Sequence, residues 1–240
     1  VSAHSVFGAT HSLFTKYLPK WNIQTSYFKV EEPETITSLI QPNTKILYAE
    51  TPTNPGVDIL DLAYLGEVAK KHNLILIIDN CFATPYLQQP IKFGADLVIH
   101  SATKLIDGQG RVLGGVTVGS LDLIREIHLF ARTTGSALSP FNAWVFLKGL
   151  ETLKIRMDAH ANSANKLAVW LEQNKNIEKV YYPGLTSHPH YELVKKQQNT
   201  GGGIVSFKVK GGKDEAWSLI NNTRLLSITA NLGDTRSTIT

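Results

Sequence analysis

Two short, unbroken apolar runs interrupt the otherwise mixed pattern of the chain, Leu74 to Ile78 and Leu97 to Ile99. Their length and β-branched content predict strands covered on both faces of a parallel sheet. The first run ends in the carboxylate Asp79, the second in the polar cluster Ser101-Ala102-Thr103-Lys104. Ligands of open α/β sheets sit outside the carboxyl ends of the strands, so this acid and this amine are expected at one edge.

The flanking sequence alternates in kind. Phe7-Gly8-Ala9-Thr10 reads as a turn into a helix carrying Leu13, Phe14, Tyr17 and Leu18 at helical spacing, closed at Pro19-Lys20. A strand over Ile23 to Val30 and a short helix over Glu34 to Ile40 follow, then a strand over Lys45 to Glu50. Thr51-Pro52-Thr53-Asn54-Pro55-Gly56 is a rigid loop by its turn residues. Asp61 caps an amphipathic helix bearing Leu62, Leu65, Val68 and Ala69 and ending near His72-Asn73. A strand over Leu113 to Gly119 and a helix over Leu121 to Arg132 complete an alternation that predicts a mostly parallel sheet. After Gly135 the texture changes. Pro140 to Asn174 is largely helical, and a strand at Ile204 to Val209 and a helix at Asp214 to Ile220 follow a glycine run at 201–203. This predicts two domains, 1–155 and an α+β unit over 156–240, joined through a long helix near residue 155.

Composition narrows the class. At 240 residues the chain can bury one large core or two smaller ones. No apolar run nears the roughly 20 residues of a membrane span, and Val1-Ser2-Ala3-His4-Ser5 lacks signal-peptide features. A membrane partner is therefore not expected. The net charge of +4 is scattered, which disfavours nucleic acid as a partner. A single cysteine, Cys81, favours a reducing, cytoplasmic setting. The charged fraction of 18% fits extra surface buried between subunits.

Lys104 has three open readings: a solvated surface amine, a member of a phosphate cradle with Ser101 and Thr103, or one half of a pair with Asp79. The third describes a phosphorylated aldehyde cofactor with a pyridine ring, which needs an amine for the Schiff base, hydroxyls for the phosphate and an acid at the ring nitrogen. The other candidates are weaker. Gly108 and Gly110 with Gly114-Gly115 do not form a dinucleotide fingerprint. Cys81 reads as an inert thiol, and His188-Pro189-His190 lacks a third metal ligand. Phe7 reads as a core or interface aromatic, or as a ring that stacks on a cofactor.

Together, Ser101-Ala102-Thr103-Lys104, Asp79-Asn80, Thr51-Pro52-Thr53-Asn54-Pro55 and Tyr182-Pro183-Gly184-Leu185 resemble the pyridoxal-phosphate enzymes of Cys/Met metabolism, over essentially the whole chain. Within that family, Asp107-Gly108-Gln109-Gly110-Arg111, Ser139-Pro140-Phe141-Asn142-Ala143-Trp144, Leu147-Lys148-Gly149-Leu150-Glu151-Thr152-Leu153 and Asn231-Leu232-Gly233-Asp234 are most similar to sulfhydrylases of succinylated homoserine. The resemblance implies an aspartate-aminotransferase-type (fold type I) α/β architecture, a mainly parallel sheet flanked by helices with a C-terminal α+β domain. It implies pyridoxal 5'-phosphate bonded to Lys104, with Asp79 at the pyridinium nitrogen and Asn54 at the ring hydroxyl oxygen. Ser101 and Thr103 would hold the phosphate, Phe7 would stack without the hydroxyl that many relatives carry there, and Asn231 would contact substrate.

The implied reaction is γ-replacement, O-succinyl-L-homoserine plus sulfide giving L-homocysteine and succinate on the way to methionine. The implied assembly is a homotetramer of dimers with shared active sites. The same resemblance leaves open cystathionine γ-synthase, O-acetylhomoserine sulfhydrylase and methionine γ-lyase chemistry, and a non-catalytic, cofactor-binding assembly subunit stands as the alternative of another class. It also implies that the chain begins and ends inside the family's length, short of a Tyr-x-Arg segment, a Gly-Met turn and a carboxylate-binding arginine. Arg111, just past the lysine loop, either grips the distal carboxylate of a succinyl ester or pairs with a structural acid or another subunit.

Overall fold

The two apolar runs become neighbouring strands of one sheet in the computed structural model, which describes residues 1–240. Strands β1 (Ser2–Ala3), β2 (Tyr27–Phe28), β3 (Ile46–Glu50), β4 (Ile75–Asp79), β5 (Leu97–Ser101) and β6 (Gly115–Gly119) lie in the order β2-β1-β3-β4-β5-β6. Every neighbouring pair is parallel except β5 and β6, which are antiparallel. The register sets Glu50 beside Asp79, and Asp79 beside Ile99. Leu76 and Ile78, on one face of β4, are fully buried, while Ile75 and Ile77 on the other face are half-buried, so the strand is sealed on one side more tightly than its unbroken apolar run predicts.

Helices α1 (Gly8–Ser12), α2 (Ile36–Leu39), α3 (Leu62–Lys71) and α4 (Thr84–Leu87) accompany the strands. Helix α3 follows from its sequence. The Asp61 carboxylate accepts the backbone N–H groups of Ala63 and Tyr64 and closes the first turn. Leu62, Leu65, Val68 and Ala69 then fall on one buried face, where Leu62, Leu65 and Val68 each stabilise the fold by about 1.5–3 kcal/mol. They join Leu47, Leu76, Ile78 and Val98 in an 18-residue core on the parallel strands.

Two expected elements are shorter or less regular. The strand expected over Ile23 to Val30 contains only Tyr27–Phe28, because its partner β1 is itself two residues long. The helix entered at Gly8 changes its hydrogen-bonding at Leu13 and again at Leu18, and ends at Asn22 with φ 58°. The antiparallel β6 is reached through the connection 102–114, whose one helical piece is the single turn Ala102–Ile106 and which carries no crossover helix.

Helix α5 (Leu121–Thr134) follows the sheet. The expected helical stretch from Pro140 is two helices, α6 (Pro140–Glu151) and α7 (Leu153–Glu172), parted at Thr152, where φ is −108° and ψ 0°. Beyond α7, β7 (Ile177–Tyr181) and β8 (Ser206–Val209) form an antiparallel pair, with α8 (Tyr191–Gln197) between them in sequence and α9 (Lys213–Asn221) after them. Short strands β9 (Ser227–Ile228) and β10 (Thr238–Ile239) pair with each other. No helix is long and apolar enough to cross a membrane.

Candidate active site

The carboxyl ends of β3, β4 and β5 deliver Glu50, Asp79 and Ser101 to one edge. Asp79 Oδ1 accepts the backbone N–H of Cys81 at 3.0 Å. Burial pushes the Asp79 carboxyl up to about 6, with the Cys81 hydrogen bond opposing it. No Lys, Arg or His forms an ion pair with this acid, and a protonated ring nitrogen is the kind of partner such a site takes.

Glu50 is the site residue that sequence reasoning missed. It is 5% exposed, and its Oε2 accepts the Phe7 backbone N–H at 2.6 Å. Burial first, and then the negative charge of Asp79, push its carboxyl up to about 8. Its signal was present, because the strand Lys45 to Glu50 ends in an acid just as the next strand does. The Cys81 thiol is pushed up to about 12 by burial and by Asp79, which leaves it a poor nucleophile at neutral pH.

Lys104 follows β5 in a wide helical turn over Ala102–Ile106, closed from the Asp107 N–H to the Ala102 carbonyl at 2.9 Å, but its own backbone is not helical, with φ −89° and ψ −120°. Its Nζ donates to Asn231 Oδ1, so the C-terminal segment reaches the amine across 127 residues. The Thr103 hydroxyl accepts from the Gly114 N–H at 3.0 Å and lies 3.2 Å from the Gly114 carbonyl, to which it donates. It braces the loop against the start of β6. The Ser101 hydroxyl makes no hydrogen bond within the chain. Asn54 lies in the expected rigid loop, and its backbone N–H lies against Glu50. The Phe7 ring is 50% exposed beside the same acid.

Arg111 and Asn231, with Thr103, Gly110, Val112 and Leu113, line an open cleft of about 250 Å³. Two arms of the Arg111 guanidinium are already engaged. Nε donates to Asp107 Oδ1 at 2.8 Å and Nη2 to the Asp107 carbonyl at 3.1 Å, while the Arg111 N–H binds Asp107 Oδ2 at 2.6 Å. Asp107 is 1% exposed, so it is a structural acid for this cation.

Beneath the edge runs a buried amide network. Asn80 Nδ2 donates to the carbonyls of Thr84 and Gln88, at 3.1 and 2.9 Å. Gln88 Nε2 donates to Asn80 Oδ1 and to the Thr51 carbonyl, at 2.8 and 2.9 Å. Gln88 Oε1 accepts from Gln197 and Gln198 at 3.1 and 2.8 Å. His188 and His190 meet edge to face, 5.7 Å between centroids, and no group of three His, Cys, Asp or Glu is placed to hold a metal ion.

A buried acid and a lysine at adjacent strand ends of a mainly parallel sheet define an α/β protein with its ligand site at the carboxyl edge. The whole chain, residues 1–240, matches the model of the Cys/Met metabolism PLP-dependent enzymes, and it belongs to that family. It is 54% identical over 237 residues to O-succinylhomoserine sulfhydrylase of Pseudomonas aeruginosa, covering 99% of this chain and 59% of that protein. It is 39% identical to L-methionine gamma-lyase of Porphyromonas gingivalis, covering 100% of this chain and 61% of that one. A solved structure of cystathionine gamma synthase from Xanthomonas oryzae pv. oryzae superimposes with a TM-score of 0.94 at 33% identity, over 98% of this chain and 61% of that one. The chain thus spans about three fifths of the length of these relatives. Pyridoxal phosphate is the family's cofactor. The donor set fits it: an amine, a buried acid without a cation, and an uncommitted hydroxyl at Ser101.

Proposed function

We propose that this chain carries the lysine-bearing part of a pyridoxal-phosphate-dependent γ-replacement enzyme, converting O-succinyl-L-homoserine and sulfide into L-homocysteine and succinate. The observation that carries the cofactor role is the delivery of Asp79 and Lys104 to one strand edge with Asn231 on the amine. The 54% identity to a protein named for the succinyl ester supports the choice of reaction.

When bound, the cofactor would supply an electron-accepting ring that can draw charge from the substrate's α-carbon through the substrate's amino nitrogen. Around it, Lys104 has two duties. Its amine would hold the cofactor at its aldehyde carbon, and the free amine is the base that would take the substrate's α-proton and return it. Asp79 would hold a proton on the ring nitrogen. Asn54 would serve the ring hydroxyl, Ser101 and Thr103 the phosphate, the Thr103 hydroxyl turning its proton from the Gly114 carbonyl to do so, and Phe7 would cover the ring face without an acidic hydroxyl. Asn231 steadies Lys104 Nζ and borders the substrate cleft with Arg111. The free Nη1 of Arg111 is the arm left for the distal carboxylate of the succinyl group.

The enzyme is proposed to work in the cytoplasm, as its single cysteine favours, and as a homotetramer of dimers. Large exposed apolar side chains support the assembly, among them Trp21, Leu113 and Phe130 at 69, 74 and 71% exposure. Activity of the complete protein on succinyl and acetyl esters, with sulfide, with cysteine and with no nucleophile, tests the reaction. Homocysteine from the succinyl ester and sulfide is expected. Preferential cystathionine formation, or a keto acid without nucleophile, would overturn it in favour of a synthase or a lyase. Cofactor absorbance that vanishes in Lys104→Ala, with turnover in neither protein, would identify a non-catalytic subunit.

A further inference from the structure

Arg156, in α7, has an unusual set of partners for a half-buried cation. Nη1 donates to the Leu105 carbonyl at 2.7 Å, and Nη2 to the carbonyls of Ile106 and Gly149 at 3.2 and 2.8 Å. Nε donates to Thr152 Oγ1 at 3.1 Å. No carboxylate binds it directly. Closing the end of α6 accounts for the Gly149 contact alone. The other two carbonyls belong to the residues that immediately follow Lys104.

The surroundings are built to admit this grip. Gly108 has φ +72°, and a Cβ there would lie 2.2 Å from Arg156 Nη1. A Cβ on Gly149 would lie 2.1 Å from the Ile106 carbonyl oxygen. Helix α6 and the guanidinium therefore approach the lysine turn as closely as backbone allows. Lys104 leaves the helical region within that turn, so the direction of its side chain depends on how the following peptide units are held. A planar guanidinium holds several acceptors at fixed angles, which an ammonium cannot do.

We propose that Arg156 is a positioning residue for Lys104: by clamping the carbonyls of Leu105 and Ile106 it fixes the turn that aims the amine at the cofactor's aldehyde carbon. The inference rests on Lys104 being the cofactor amine, as argued above. The clamp ties the turn that carries the amine to α7.

The test uses the complete protein stripped of cofactor and then supplied with pyridoxal phosphate. In the reaction followed, the neutral Lys104 amine adds to the aldehyde carbon and water leaves. Borohydride reduction and peptide mass then show which lysine reacted. In Arg156→Met, capture at Lys104 should slow by about tenfold or more, as expected when a reacting group is misplaced by a fraction of its reach. Arg156→Lys should recover only part of the rate, since one ammonium cannot hold all the carbonyls. Unfolding temperatures are measured alongside, because a purely structural arginine would lower them and leave the capture rate of the folded protein unchanged. Wild-type capture rates in a folded Arg156→Met protein would overturn the inference. If that variant does not fold, Arg156→Lys decides, and full wild-type capture in it overturns the inference. If wild-type protein captures no cofactor at Lys104, the assignment of the amine fails and this inference with it.

Discussion

Glu50→Gln in the cofactor-free protein should make the stability less dependent on pH. Glu50 has an ordinary value of 4.5 and is raised to about 8 in the fold, by burial and by Asp79. A carboxyl raised on folding binds its proton more tightly in the native state. Its contribution is therefore fully present below about pH 4.5 and is lost as the pH rises through about 8. At about 1.4 kcal/mol per pH unit, the loss reaches roughly 3 kcal/mol at pH 7 and levels off near 5 kcal/mol above pH 8. Glutamine keeps an oxygen for the Phe7 N–H and carries no proton to lose. The variant should match wild type near pH 4.5 and exceed it progressively above that. Urea unfolding of both proteins at several pH values from about 4.5 to 9 gives the difference directly. With pyridoxal phosphate bound, a proton on the ring nitrogen offsets the Asp79 charge, and the advantage should shrink. A stability difference that stays flat across the range would refute the reasoning.

Three further outcomes follow from the same site. Asp79→Asn should lower turnover by more than about 10²-fold, because an amide cannot hold the ring proton electrostatically. The same change should stabilise the cofactor-free protein above about pH 6, where wild-type Asp79 is charged without a cation, and steady-state kinetics with pH-dependent unfolding check both halves. Arg111→Ala should raise KM for the succinyl ester by about tenfold, the worth of one charged hydrogen bond, and leave the acetyl ester unaffected. Equal changes for both esters would assign Arg111 to Asp107 alone. Gln88→Leu should destabilise the protein by at least about 2 kcal/mol in chemical unfolding, since it strands the Asn80 oxygen and the Gln198 amide and removes one of the two acceptors of the Gln197 amide.

The sheet was legible because its signals are local. The run ending in Asp79, the capped helix after Asp61 and the strand ending in Glu50 each follow from residues within a few positions of one another. The delivery of Asp79 and Lys104 to one edge could be inferred because both stand at or just past the ends of predicted strands. What stayed hidden depends on distance in sequence. Nothing near Arg156 announces that its guanidinium meets the carbonyls after Lys104, some 50 residues back. The length of β2 was hidden for a related reason: Ile23 to Val30 has strand character throughout, and its two-residue partner sets how much pairs. Arg111 was readable as a cation near the site, but its engagement by Asp107 needed the turn to be seen.

The buried amide of Gln88 also bears on how the chain is made. Its Nε2 finds Thr51 and Asn80 early, but its Oε1 accepts from side chains 109 and 110 residues later. At roughly 5–20 residues per second of synthesis, that oxygen waits about 5–20 s for its partners. The strand edge that presents Asp79 therefore closes over a polar atom that must stay in water until α8 emerges from the ribosome. A nascent chain halted before residue 197 should hold β4 and its neighbours loosely, and the cofactor site should come into order only when the glutamines arrive.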